Sequence, residues 1–183
     1  MLISKFTNEG VEQRILQIEE QYDIAVPEEY KSFLYKYNGG YTPNTRFKVG
    51  KVSSDIKGFF GVGNVKLSLD SIDLKEWIDN QALPIASDSF GNYIAIGIEN
   101  GKIFFVDHEK GKKYTCIGEN LMKFFEHCKS DKISATAKMS IQEREAALIE
   151  RGRAHVITDA LRQMWQDEID KYGNMEQEKV IIP

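Results

Sequence analysis

Cysteine is scarce in this chain: 183 residues hold two, Cys116 and Cys128, and they form no CxxC pair. Such thiols fit a reducing cytoplasm, where lone cysteines are usually small buried hydrophobes. Long apolar runs are missing too. No stretch approaches the roughly 18 apolar residues needed to cross a bilayer, and the opening MLISKFTNEGVEQ lacks the apolar core of a signal peptide. Excess charge of one sign is also lacking. The net charge is -4, with 24 Lys and Arg against 28 Asp and Glu. Up to Lys132 there are 17 basic and 19 acidic residues, and beyond it 7 and 9, so each part stands at -2. Neither part is a basic arm, which argues against direct nucleic-acid binding. No internal repeat or low-complexity tract is visible. The expectation is a soluble, cytoplasmic protein without a membrane or nucleic-acid partner.

What is present is a well-patterned core. Hydrophobic residues make up 42% of the chain, including 10 Phe and 8 Tyr. Val11, Ile15, Ile18 and Tyr22 lie on one face of a helix. In VPEEYKSFLYKYNGG, Pro27 suits a first helical turn, where a missing N–H costs nothing. Tyr30, Phe33, Leu34 and Tyr37 form the apolar stripe, and Asn38-Gly39-Gly40 end it with residues that tolerate a left-handed cap. Short strands are predicted over Arg46–Val49 and Ile56–Val62, and a short helix over Ser71–Asn80. Strands Tyr93–Ile98 and Lys102–Asp107 flank Glu99-Asn100-Gly101, where Asn-Gly predicts a type I′ hairpin turn. A second reversal at Glu109–Lys112 leads to a strand over Lys113–Ile117, and Glu119–Cys128 resumes helical spacing. Residues 129–139 read as a linker. Ser140 and Glu143 have capping-box spacing, and Thr158 can cap a last helix with Leu161, Trp165, Ile169 and Tyr172 on one face. Hairpin-linked strands mean an antiparallel sheet, hence an α+β fold.

The chain offers little chemistry. Asp107-His108-Glu109 holds three ligand types in a row, but strand neighbours point to opposite faces and do not converge. Lys112 also spoils HExxH spacing. Gly58-Phe-Phe-Gly61-Val-Gly63 runs in the wrong order for a dinucleotide fingerprint, so bends or bulges in a sheet are expected there. His127 and Cys128 are helix neighbours that face different ways, and Cys116 sits in an apolar strand pattern. His155 stands alone, and the Lys110–Lys113 run reads as a solvated hairpin end. No active site, metal site or cofactor site emerges, and no enzyme is expected; an enzyme whose site is spread over distant loops is the outside alternative.

YDIAVPEEYKSFLYKYNGG, Tyr22 to Gly40, resembles the N-terminal signature of the SUKH superfamily. LPIASDSFGNYIAIGIENGKIFFVDHE, Leu83 to Glu109, is similar to that family's central strands, and Phe124 and Phe125 fit its closing helix. The resemblance covers about residues 8 to 130. It implies helices around an antiparallel sheet over 1–132, with 133–183 as a helical extension expected to dock on the same domain. The superfamily includes the Smi/Knr-type regulator of yeast cell-wall synthesis, the Syd protein, and many immunity proteins encoded beside polymorphic toxins. It therefore implies a non-catalytic binder whose partner is a cognate toxin domain, a nuclease first of all. The alternative it leaves open is a regulatory scaffold not linked to a toxin. Asp88, Asn92, Asp107, His108 and Glu109 are the candidate partner-binding residues, because they fall at turns beside the central hairpin. The competing reading is that they only shape those turns. Oligomeric state is undecided.

Overall fold

The computed structural model describes residues 1–41, 43–111 and 113–182. They fall into two compact units. The first comprises Met1–Asp131 together with the described C-terminal residues from Glu178 onward, and the second is Lys132–Gln177.

In the first unit, chain order is β1 (Leu2–Lys5), α1 (Val11–Tyr22), α2 (Glu28–Tyr37), β2 (Gly40–Tyr41), β3 (Thr45–Val49), β4 (Val52–Ile56) and β5 (Gly58–Phe59). There follow α3 (Lys75–Asp79), β6 (Ala82–Ser87), β7 (Tyr93–Gly97), β8 (Ile103–Asp107), β9 (Lys113–Gly118), α4 (Leu121–His127) and β10 (Cys128–Lys129). The second unit contributes α5 (Ile141–Glu150) and α6 (Asp159–Tyr172), after which β11 (Glu178–Lys179) returns to the first. The larger sheet runs β11-β1-β2-β5-β6-β7-β8-β9 and the smaller β10-β3-β4. Every strand pairing in both is antiparallel. The fold is α+β, as the hairpin pattern requires.

One face of the large sheet is covered by the stripes read from the sequence: Val11, Ile15 and Ile18 from α1, Tyr30, Phe33, Leu34 and Tyr37 from α2, and Leu121, Phe124 and Phe125 from α4, all buried. Phe33 sits at the centre, with ring centroids of Tyr37, Phe59 and Phe125 at 5.4, 5.6 and 5.6 Å. Such tilted ring contacts add to simple burial. The opposite face carries a smaller cluster of Trp77, Ala82, Ala95 and Val106.

Asn38 explains the glycines around it. It caps α2 at φ 47°, and its buried amide donates to the carbonyls of Thr7 (2.6 Å) and Val62 (3.0 Å) while accepting from Val62 N–H (2.8 Å). The backbones pack so closely that a Cβ on Gly61 would lie 2.0 Å from the Asn38 carbonyl oxygen. The Gly58–Gly63 segment thus serves close packing, with Gly58–Phe59 in a strand.

Several local expectations differ from the structure. Pro27 is the N-cap rather than the first helical residue, its carbonyl accepting from Tyr30 and Lys31. The strand expected over Ile56–Val62 is interrupted, because β4 ends at Ile56 and β5 at Phe59. The helix expected over Ser71–Asn80 shortens to Lys75–Asp79, preceded by a 3-10 turn at Leu69–Ser71. At Asn100-Gly101 the hairpin exists but not as a type I′ turn. Only Gly101 has positive φ (65°), the Gly101 N–H bonds back to Gly97, and the Asn100 side chain accepts from Lys102 N–H, giving a longer loop. The reversal expected over Glu109–Lys112 includes Lys112, which lies outside the described residues.

The second unit is described by itself. Ser140 and Glu143 form the capping box, and Thr158 Oγ1 accepts from Leu161 N–H to cap α6. No residue of α6 is fully buried, and the buried residue of α5 is Arg144. The extension read as helical over 133–183 differs at its end. Leu2 and Ile3 pair with Lys179 and Glu178, and Val180 and Ile182 enter the first unit's core.

Candidate functional site

Two turns meet at one end of the large sheet because β7 pairs with both β6 and β8. The first spans residues 88–92 and the second follows Asp107. Asp88 is almost fully buried, and its carboxylate accepts four hydrogen bonds. Oδ1 takes the backbone N–H groups of Phe90 (2.9 Å) and Asn92 (2.8 Å), and Oδ2 takes Asn92 Nδ2 (2.8 Å) and Ser54 Oγ (2.7 Å). A buried carboxylate needs that many donors to offset its lost hydration. Asp88 is therefore the internal brace of the turn.

Asn92 passes the brace onward. Its Nδ2 is committed to Asp88, so Oδ1 faces His108, accepting from His108 N–H at 3.1 Å with the ring Nδ1 at 2.9 Å. Because an amide oxygen only accepts, that geometry places a hydrogen on Nδ1. The imidazole lies over Gly91, whose φ is 88°. A line of contacts thus runs Ser54–Asp88–Asn92–His108 across three strands' ends. Beside it, Asp107 Oδ1 accepts from the N–H groups of Glu109 and Lys110, and Oδ2 pairs with Lys110 Nζ at 2.8 Å. The Lys110 ammonium holds the Asp107 carboxyl below the usual carboxylate range. Glu109 is exposed and, among the described residues, has no ion pair.

The structure therefore brings Asp88, Asn92 and His108 into one bonded unit and sets Asp107 and Glu109 alongside. It adds residues the sequence reading passed over. Phe90 is 70% exposed at the tip of the first turn, although its backbone is tied to Asp88. Ser89 bonds Asp55 of β4 through its N–H (3.1 Å) and its hydroxyl. The available signal was a large apolar residue between turn formers in Asp88-Ser89-Phe90-Gly91, which has no core to enter. A cleft of about 650 Å³ has in its wall Ser54, which bonds Asp88, and its lining over Phe47 carries Arg46, Lys48 and Lys129 against Glu126, with His127 beside them. Its residues are scattered over β3, β4, α4 and β10, which hid it from any local reading.

The thiols lie apart from this cluster. Burial pushes the Cys128 thiol up to about 12, and its Sγ donates to the Phe124 carbonyl at 3.4 Å, whereas Cys116 is exposed. At pH 8, DTNB is expected to titrate one thiol in the native protein and two after denaturation. Because the folded pKa is raised, the Cys128 contribution to stability is complete below the unfolded value near 9.0 and is lost as pH climbs towards 12. Rapid native reaction of both thiols would contradict this placement. Among the described residues, no group of three or more His, Cys, Asp or Glu is placed to hold a metal ion, and no helix is long and apolar enough to cross a membrane.

Comparison with known proteins gives a match to the SMI1 / KNR4 family (SUKH-1) over residues 11–127. The chain is also similar to the SPbeta prophage-derived uncharacterized protein YokK of Bacillus subtilis (strain 168), 33% identical over 124 residues. That alignment covers 56% of this chain and 62% of the relative, so the chain spans less than two thirds of that protein's length. No solved structure matches.

Proposed function

The chain belongs to the SMI1 / KNR4 family (SUKH-1), whose members are often immunity proteins and generally not enzymes, and from that premise we propose that it neutralises a cognate polymorphic toxin. It binds the toxic domain in the cytoplasm and covers its active site or an adjacent surface, and a nuclease is the toxin that fits this reading best. The observation that carries the proposal is the bonded line Ser54–Asp88–Asn92–His108. It fixes two turns so that Phe90, the His108 ring and Glu109 face outward from a rigid base. A surface ordered before binding avoids the entropy cost of ordering on contact. The contact expected is of standard size, about 1,600 Å² in total.

Asp88 and Asn92 enter this reading as braces, and Asp107 holds the shape of the second turn through Lys110. The acidic Glu109 and the mild negative charge of the chain suit the basic surface by which a nuclease holds its substrate, mainly by steering the encounter.

The test is co-expression with the C-terminal domain of the toxin encoded beside this gene. Relief of toxicity together with a co-purifying complex is the expected result. A neighbour that is harmless, or a toxin neither bound nor blocked, sinks the immunity reading and points to a regulatory scaffold with a housekeeping partner.

A further inference from the structure

A pocket of about 300 Å³ lies within the second unit, between α5, α6 and the 3-10 turn Ala135–Lys138. Its wall includes Arg144, Arg151, Trp165, Met139, Leu148 and Glu168. Arg144 is unusual in being only 6% exposed. Its Nη1 donates to Glu168 at 2.7 Å, its Nε donates to the Met139 carbonyl at 3.2 Å, and the guanidinium lies over the Trp165 ring at 5.8 Å. Its Nη2 is buried and has no hydrogen-bond partner among the described residues.

A buried charged donor without an acceptor is costly, and natural structures rarely leave one in that state. The pocket also holds two guanidiniums against a single carboxylate, and that carboxylate is already engaged with Nη1. Arg151 is exposed and has no ion pair among the described residues. Among the described residues no second carboxylate lines the pocket, and the neighbouring walls are an aromatic ring and aliphatic side chains. Guanidinium forks match the planar, two-oxygen geometry of a carboxylate, and the volume falls at the small end of sites for drug-sized molecules, about 300–1,000 Å³.

We propose that this pocket is a binding site for a carboxylate carried on an apolar or aromatic body. The carboxylate meets Arg144 Nη2 and Arg151, and the apolar body lies against Trp165, Met139 and Leu148. The site is in a different unit from the turn cluster and does not depend on the immunity reading.

The test uses the full-length chain, with NMR of the two tryptophan indole N–H signals. Trp165 reports on the pocket, and Trp77 in the other unit serves as the internal control. The probes are 4-phenylbutyrate, its neutral amide, and a short peptide ending in Leu-Phe with a free or an amidated C-terminus. The expected result is a saturable shift of the Trp165 signal with the acids, no movement of Trp77, and at least tenfold weaker response to the amides. Arg151→Glu should weaken the acids at least fivefold, and Ala147→Phe, which fills the pocket without touching its charges, should do the same. Arg144→Lys should weaken them also; should that variant not fold, the other two still decide. If the free peptide acid binds more tightly than phenylbutyrate, the natural source is a protein segment, and in the reverse order it is a small molecule. The proposal is overturned if no probe gives a saturable Trp165 shift, if amides bind as well as acids, or if Arg151→Glu changes nothing.

Discussion

Replacing Asn38 with alanine is expected to destabilise the first unit by about 3 kcal/mol, lowering its melting temperature by roughly 6–12 °C. The side chain makes three hydrogen bonds, two of them to the backbone of Val62 in a site closed to water. Each group stranded there costs about 1–3 kcal/mol. Alanine also has to adopt the left-handed φ of 47°, which costs about 1 kcal/mol more. Glycine at the same position separates the two effects, since it accepts the backbone geometry but restores no hydrogen bond. Asn38→Gly should therefore recover only the conformational part. Denaturant melts of the two variants give the answer: a glycine variant as stable as the parent would mean that the amide contributes nothing.

Phe90→Ala is expected to weaken toxin binding by about 2 kcal/mol, roughly 30-fold in Kd, while stability changes by less than about 0.5 kcal/mol. An aromatic side chain 70% exposed on a turn held by four hydrogen bonds has little to lose in the free protein. Aromatic anchors at the centre of an interface commonly carry a disproportionate share of its energy. Alanine at Glu109 should act differently, changing the association rate and its salt dependence more than the dissociation rate, whereas alanine at Asp107 also releases the turn that it holds. Titration calorimetry and surface plasmon resonance on the complex separate these effects. Unchanged affinity for Phe90→Ala, with immunity intact, would remove the turn cluster from the interface.

The helices and the central hairpins were legible because their signals are local: α1, α2 and α4 repeat apolar residues at helical spacing, and capping residues such as Ser140 and Thr158 sit in the register their helices need. The failures trace partly to a partner far away in sequence and partly to local bonds that the apolar pattern does not encode. Asn100-Gly101 reads as a tight turn, yet its loop is set by bonds from Gly101 to Gly97 and from Ile98 to Gln81. Asp88 reads as turn chemistry on the surface, and it is buried because Ser54, thirty-four residues earlier, closes over it. The cleft over Phe47 draws on four elements and the Arg144 pocket on three, so neither leaves a contiguous motif. The five turn residues were recognisable as a group by their position. Their division into braces and exposed groups was not, since that depends on which side chains find acceptors inside.

The strand β11 changes what a domain boundary means for this chain. Glu178 and Lys179 complete the sheet beside β1, Ile181 N–H donates to the Tyr37 hydroxyl at 2.9 Å, and Val180 and Ile182 fill core positions. The second unit is thus an insertion between two strands of the first, not a tail appended to it. A stop codon at residue 132, where the sequence suggests a cut, would strip β1 of its outer neighbour and uncover a length of unpaired sheet edge, an invitation to intermolecular pairing. Excising 132–177 and rejoining the chain with a short flexible linker would instead preserve the strand, which makes the tether, rather than the truncation, the natural way to divide this molecule.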